Sequence, residues 1–156
     1  MPTTQPQTQP QTQPQTQTQP LTAMPTTVPA PTAIDRFLAA VEAGAVTADL
    51  YTDDALLDAT VPGWRFTRRG AGAVAAEYAG WFAAVGRFEE LDRLVVAGGE
   101  VVTYLLTWDE HGVPHAAHHC HLLGLDDATG RIASDRVFCG GRWGADLLAS
   151  MEEARS

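Results

Sequence analysis

The sequence predicts an α+β fold in which N-terminal helices pack on the concave face of a curved, mostly antiparallel sheet. Helical periodicity comes first in the chain, because apolar side chains recur at intervals of three and four residues from Ile34 to Val41. Strand-like segments separated by glycine-containing turns come last. Helices followed by consecutive strands are typical of proteins whose helices cover one face of an antiparallel sheet.

The distribution of charge divides the chain into two parts. Residues 1–32 contain no charged side chain and consist mainly of Gln, Pro and Thr. Such a composition buries too little apolar surface to offset the loss of chain entropy, so we expect a disordered tail at 1–32 and one domain at 33–156. Residues 24–27 repeat the Met-Pro-Thr-Thr of residues 1–4, which leaves two methionines as candidate translation starts.

Charge and composition also exclude several classes of function. The net charge of −9 at pH 7 argues against nucleic acid and anionic membranes as partners. The chain has no lysine, which excludes a Schiff-base lysine. No apolar run approaches the ~20 residues of a membrane span. Two cysteines are too few for a disulfide framework, so we expect a cytoplasmic protein.

The predicted elements follow from capping residues, periodicity and turns. Thr32 and Asp35 form a capping-box sequence before the first helix, which ends at Gly44. The remaining predicted elements are a short helical piece at 46–51, a strand at 55–60, an extended piece at 64–68, a helix at 71–84, strands at 87–96, 100–108, 115–125 and 131–139, and a short C-terminal helix around 147–151.

All five histidines lie between residues 111 and 121, on or beside one predicted strand. Side chains alternate across a strand, so His115, His119 and His121 share one face and His118 lies on the other. Histidine has the ordinary pKa closest to neutrality, which makes this cluster a candidate site of proton transfer.

The turn at 126–130 predicts a register that brings a carboxylate to this cluster. In that register His121 lies directly opposite Asp135 and His119 lies opposite Val137, with opposed Cβ atoms about 5 Å apart. A carboxylate partner fixes the imidazole tautomer and leaves the other ring nitrogen to move a proton. We therefore predict His121 as the base, Asp135 as its orienting partner and His119 as a second polar contact.

Other residues are predicted to supply a donor, a second acid or apolar walls to the same pocket. They are Tyr104, Trp108, His115, Asp58, Trp64, Trp81 and Val137. The same register places Cys139 opposite Ala117 and turns Cys120 to the other face, so no disulfide is expected. Cys139 then has no evident activating partner and is interpreted as a small apolar filler.

Two alternatives compete with proton transfer. A histidine that faces a carboxylate is often only a satisfied polar pair in a core. A metal site built from His115, His119 and His121 is the other alternative. Residues four apart on a strand lie ~13 Å apart, which is poor spacing for tetrahedral ligation. We therefore predict neither a metal nor a cofactor.

The order of elements resembles that of the nuclear-transport-factor-two-like and SnoaL-like (polyketide cyclase) proteins. The entry into the first strand at 51–55, Arg69-Gly70 before the second long helix and the Gly-Arg-Ile of 130–132 support this resemblance, which covers roughly residues 33–150. The resemblance implies a cone-shaped sheet, a small-molecule pocket and a homodimer formed through the sheet. Proteins of this fold include enzymes, binding proteins and scaffolds, so the fold alone does not choose the function.

One group of similar proteins, the limonene-epoxide-hydrolase-like enzymes, bears on the site. In that group the position three residues after the isoleucine of the last strand faces the pocket, and this position is Asp135 here. The catalytic Asp–Arg–Asp set of the group is not reproduced, because its positions match Val137, Leu106 and Trp108. Epoxide hydrolysis by that mechanism is therefore not expected.

These observations together predict a cofactor-independent acid/base enzyme of the cyclase, isomerase or hydratase type. Its expected ligand is a small hydrophobic molecule. A non-catalytic ligand-binding or dimerisation module of the same fold is one alternative, and a metal-dependent enzyme that uses the histidine cluster is another.

Overall fold

The helices and strands follow one another in the predicted order in a computed structural model, which describes residues 29–156. The helices are α1 (Ala33–Ala43), α2 (Ala71–Trp81) and α3 (Ala145–Arg155), with a short 3₁₀ turn at Ala48–Leu50. The strands are β1 (Tyr51–Val61), β2 (Trp64–Arg69), β3 (Gly86–Val96), β4 (Gly99–Glu110), β5 (Val113–Leu125) and β6 (Ile132–Cys139). Most of the predicted tail lies outside the described residues.

One curved, open sheet contains all six of these strands, in the order β2-β1-β6-β5-β4-β3. Only the β1–β6 pair is parallel. Helix α1 packs near β3, and α2 packs near β1 and β2, so both cover the inner face of the sheet. The predicted α+β class is confirmed.

The start of α1 shows how local sequence fixes the edge of the domain. The Thr32 N–H donates to Asp35 Oδ2 at 2.7 Å, and the Asp35 N–H donates to Thr32 Oγ1 at 3.1 Å. This capping box satisfies N–H groups that a helix start otherwise leaves unpaired. Ile34, Phe37 and Val41 then enter the core on one stripe. The capping box therefore fixes the start of α1 directly after Thr32.

The predicted register between β5 and β6 is wrong by two residues. His121 lies opposite Val137, His119 lies opposite Cys139, and Asp135 lies opposite Leu123. The turn before β6 is one residue longer than predicted, and a bulge in β6 between 132 and 134 adds a second residue. A shift of one residue would have turned Asp135 to the other face, whereas a shift of two keeps it on the predicted face.

Candidate functional site

Four buried side chains form a continuous hydrogen-bonded chain inside the core. The Tyr78 hydroxyl donates to Asp135 Oδ2 at 2.5 Å. His121 Nδ1 lies 3.0 and 3.1 Å from the two Asp135 oxygens, and His121 Nε2 lies 2.9 Å from the Tyr104 hydroxyl. A neutral His121 that donates from Nδ1 and accepts at Nε2 satisfies every polar group of this chain. We call these four residues the buried relay.

Each member of the buried relay is held by a different element. Tyr78 comes from α2, Tyr104 from β4, His121 from β5 and Asp135 from β6, and none is more than 2% exposed. Burial raises the pKa of the hydroxyls of Tyr78 and Tyr104 well above their usual range, and the Asp135 carboxylate adds to the effect. Both tyrosines therefore stay protonated as donors. Asp135 and His121 are diagonal neighbours on β6 and β5, so their side chains are in contact although the two residues are not directly paired.

His119 lies on the same face of β5 and has a different environment. Its Nε2 lies 3.6 Å from Cys139 Sγ. Its Nδ1 is buried and has no hydrogen-bond partner among residues 29–156. Burial lowers the pKa of His119 well below its usual value, and His121 and then His118 lower it further. His119 is therefore neutral at pH 7 and can accept a proton.

A cavity of about 270 Å³ opens beside His119. Trp81, Trp108 and Ala117 give it apolar walls, and His119, Cys139 and Arg142 give it polar groups. Its volume lies just below the usual range for small-molecule pockets, about 300–1,000 Å³. His121 and Asp135 do not line this cavity. His119 is thus the imidazole that a ligand in the cavity would contact.

The backbone after β6 shapes one wall of the cavity. Gly141 has φ of 88°, which residues with a side chain rarely adopt, and a Cβ at this position would lie 2.8 Å from Pro62 Cγ. This close approach lets the Gly141 N–H donate to Cys139 Sγ at 3.3 Å. The glycine at position 141 thus allows the backbone after Cys139 to form this wall of the cavity.

Arg142 lines the cavity but is not among the predicted site residues. Its guanidinium pairs with Glu110, donates to His115 Nε2 at 3.0 Å and lies 5.7 Å from the centre of the Trp108 ring. From the sequence, its position after two glycines favours a role in holding the terminal helix over contact with a ligand.

Four predicted site residues belong neither to this cavity nor to the buried relay. Asp58 projects from the outer face of β1, where Arg65 donates to it at 2.5 and 2.7 Å and Arg136 donates to it at 3.2 Å. Trp64 lies on the edge strand, is 60% exposed and stacks on Phe66. Neither residue can serve as an acid or a wall beside His119.

The third of these residues, His115, lines a larger groove of about 600 Å³ between α3 and the sheet. None of His119, His121 and Asp135 lines that groove, so the greater volume does not coincide with the chemistry. Val137 is fully buried in the core, directly opposite His121.

Residues 29–156 contain neither a metal-ligating cluster nor a helix suited to crossing a membrane. No group of three or more His, Cys, Asp and Glu side chains in that range is arranged to hold a metal ion. Over the same range, no helix combines the length and the apolar character needed to cross a membrane.

Comparisons with known proteins give a likeness of fold. No protein-family model and no curated protein matches the chain. A "putative isomerase" from Bacillus subtilis is 14% identical with a TM-score of 0.57, over 69% of this chain and 84% of its own. SalBIII, an epoxide hydrolase/cyclase-like enzyme in pyran ring formation in the polyether salinomycin, is 18% identical with a TM-score of 0.56, over 72% of this chain and 93% of its own.

A "putative isomerase" from Rhodopseudomonas palustris is also 18% identical, with a TM-score of 0.50, over 69% of this chain and 88% of its own. At 14–18% identity these likenesses establish a shared fold and nothing finer. The chain therefore has the fold of structures that include an epoxide hydrolase/cyclase-like enzyme.

Proposed function

We propose that the protein is an acid/base enzyme of the isomerase or cyclase type, acting on a small, largely apolar molecule in the cavity beside His119. The observation that carries the proposal is the buried Nδ1 of His119, which has no partner among the described residues. Buried polar atoms are nearly always hydrogen-bonded in native proteins. Because His119 lines the cavity, a ligand that reaches Nδ1 from there would supply the missing partner.

The lining of the cavity supports an apolar ligand with one polar end. Trp81, Trp108 and Ala117 offer surface without charge, whereas Arg142 offers a cation. A carbonyl oxygen directed at Arg142 would place the neighbouring carbon within the cavity that His119 lines. Neutral His119 would take a proton from that carbon and return it elsewhere on the molecule, while Arg142 stabilises the oxyanion that forms.

This proposal gives His121 a different role from the predicted one. Both ring nitrogens of His121 are engaged, and the side chain is fully buried. We therefore assign proton transfer to His119. His121 and Asp135 are assigned a positioning role, in which they hold the part of the core against which His119 packs. The rings of His119 and His121 lie nearly parallel, with centres 5.7 Å apart, so the buried relay supports the orientation of His119.

A ligand-binding module without catalysis is the second candidate. The complete satisfaction of the buried relay favours it, because a satisfied polar network needs no ligand to explain its presence. A module of this kind would bind an apolar molecule between Trp81 and Trp108 and leave it unchanged.

We also propose a homodimer formed through the outer face of the sheet. Leu94, Leu122 and Phe138 are 64%, 39% and 47% exposed on this face. Exposed apolar patches often mark contacts between proteins. Light scattering should give twice the chain mass for the wild type and the single mass for Leu122→Glu, with Leu147→Glu on α3 as the control. A wild type of single mass would contradict the dimer.

Exchange of carbon-bound hydrogen tests the enzymatic proposal. Cyclohexanone, 2-methylcyclohexanone and acetophenone are incubated with the protein in D₂O, and loss of the α-proton signals is followed by NMR. We expect faster exchange of at least one ketone, by about 10²- to 10⁴-fold over His119→Gln. Fluorescence of Trp81 and Trp108 reports binding in the same samples.

The outcomes separate the two candidates. Exchange that depends on His119 supports the enzyme. Quenching of fluorescence without exchange supports the binding module and contradicts the enzyme. Equal exchange in the wild type and in His119→Gln also contradicts the enzyme, because the reaction would then not use the proposed base.

A further inference from the structure

Cys139 lies on the cavity wall with an imidazole beside it. Its Sγ is 3.6 Å from His119 Nε2, and the Gly141 N–H donates to the same sulfur at 3.3 Å. The interpretation of Cys139 as a filler without a partner is therefore wrong. The two-residue difference in register explains the error, because it moves Cys139 from a position opposite Ala117 to one opposite His119.

The contact has the geometry of a nucleophile and its base. With the Gly141 N–H on one side of Sγ, the thiol hydrogen can point at His119 Nε2 in the tautomer that carries its own hydrogen on Nδ1, whereas proton uptake at Nδ1 requires the other tautomer. Burial raises the pKa of the Cys139 thiol, and burial lowers the pKa of His119. The pair therefore rests as thiol and neutral imidazole at pH 7, so that sulfur can attack only as its proton passes to the imidazole.

We propose that Cys139 is a nucleophile with His119 as its base, and that the cavity binds an apolar α,β-unsaturated carbonyl compound. This inference rests on the proposed function, since it takes the cavity as the ligand site and His119 as the proton-transfer group. It adds a second reacting side chain and a substrate class.

The surroundings of the sulfur favour this substrate class. A conjugated double bond is a soft electrophile that suits a thiol, and its carbon skeleton fits walls formed by Trp81, Trp108 and Ala117. The carbonyl oxygen gains charge during the addition, and Arg142 lies on the same cavity. Acyl transfer suits the site less well, because the Gly141 N–H already donates to the sulfur and is not free for a tetrahedral oxyanion.

The addition balances without any further reactant. A bond forms between Cys139 Sγ and the β-carbon, and the thiol proton passes to His119 Nε2. The electron pair of the carbon–carbon double bond shifts toward the carbonyl oxygen and gives an enolate. The former double bond is now single and can rotate. Expulsion of the sulfur then re-forms the double bond with the other geometry, and the thiol recovers its proton from His119.

Comparison of the two cysteines tests the inference. Cys120 is partly exposed on the opposite face of the sheet, and burial raises the pKa of its thiol as well, so it is the matched control. N-Ethylmaleimide, itself an α,β-unsaturated carbonyl compound, is added at pH 7 to Cys120→Ser and to Cys139→Ser, and the adduct is followed by intact mass. We expect Cys139, measured in Cys120→Ser, to react at least about tenfold faster than Cys120, measured in Cys139→Ser. Adding His119→Gln or His119→Leu to Cys120→Ser should remove this difference in rate.

A second ligand links the thiol to the cavity. Excess 2-cyclohexen-1-one should slow the modification of Cys139 and leave that of Cys120 unchanged. Equal rates for the two cysteines in folded protein would overturn the inference, as would an advantage of Cys139 that survives both His119 substitutions. The saturated ketones are tested for α-proton exchange in the same Cys120→Ser background. If the ketones exchange but Cys139 reacts no faster than Cys120, only the role of Cys139 is contradicted. If the ketones do not exchange either, the proposed function is contradicted as well.

Discussion

His119 and His121 are two residues apart on one face of β5, yet their surroundings are opposite. His121 has a partner at each ring nitrogen, namely Asp135 and Tyr104. His119 has a weak sulfur contact at Nε2 and no partner at Nδ1 among the described residues. Residue type, burial and strand face are the same for both histidines, so what separates them is hydrogen bonding and the cavity that only His119 lines.

The difference has an energetic meaning. A satisfied buried hydrogen bond contributes about 1 kcal/mol to stability, whereas an unsatisfied buried polar group costs about 1–3 kcal/mol. His121 is therefore expected to stabilise the fold and His119 to weaken it. Substitutions that change one histidine or its partners test this division.

Asp135→Asn should give the largest loss of stability. Asp135 accepts hydrogen bonds from both Tyr78 and His121, and an amide at this position has one oxygen acceptor and directs an NH₂ group at the other donor. Breaking a buried, hydrogen-bonded pair of this kind costs about 3 kcal/mol or more. Denaturant unfolding at pH 7.5 measures the change in the free energy of unfolding.

Asp58→Asn is the matched control, because Asp58 is bonded to two arginines that are both more than half exposed to solvent. Solvent weakens such pairs, so the loss should be much smaller than for Asp135. Equal losses in the two variants would mean that the buried relay is no more important for stability than a surface pair.

The dependence of stability on pH should come next in size. The pKa of His119 is lowered by burial, by His121 and by His118, so the unfolded chain binds a proton at a higher pH than the folded protein does. Stability is then complete above the unfolded value of about 6.5 and falls as pH drops below it, with a limiting slope of about 1.4 kcal/mol per pH unit. Unfolding of the wild type and of His119→Leu at pH 7.5, 6.5 and 5.5 measures the difference.

In that comparison the exposed His118 and the carboxylates are common to both proteins, so their contributions cancel. The wild type should lose stability relative to the variant as pH falls. Parallel curves would contradict the assignment of a neutral, buried imidazole to His119.

Tyr104→Phe should have a smaller effect. The variant removes the hydroxyl that donates to His121 Nε2 and keeps the ring that stacks on both histidines. The loss should be about 1 kcal/mol at pH 7.5, measured by denaturant unfolding. An unchanged free energy of unfolding would show that the hydrogen bond from Tyr104 does not stabilise His121. The predicted difference between the two histidines would then be contradicted.

The order of elements and the choice of face were predictable because both depend on local patterns. The apolar stripe of α1 and the alternation of the two faces along β5 leave few arrangements in which the apolar groups are buried. The contact between His121 and Asp135 was reached from a wrong register. The longer turn and the bulge in β6 each shift the strand by one residue, and together they restore the face.

Other features were not predictable from local pattern. Asp58 lies in a strand whose two faces are both rich in apolar residues, since Leu56 alternates with Leu57, so the sequence did not tell which face points outward. The cavity itself depends on Pro62, Gly141 and Arg142, which lie in two loops far apart in sequence. Contacts of this kind are set by the whole fold. For that reason the sequence predicts His119 only as a second polar contact and gives no sign of its contact with Cys139.

His119→Leu should have the smallest effect on stability and the opposite sign. Leucine is close to histidine in size and removes the buried Nδ1 that lacks a partner, together with the weak contact to Cys139. Because an apolar replacement of an unsatisfied polar group is neutral or stabilising, the free energy of unfolding at pH 7.5 should stay level or rise by up to about 1 kcal/mol. His121→Leu, the matched change two residues away, leaves Asp135 and Tyr104 without partners and should lose several times that amount. If the two leucine variants lose the same stability, His119 is an ordinary core residue. If His119→Leu instead gains stability and loses ketone exchange, His119 is a residue whose catalytic role lowers the stability of the fold.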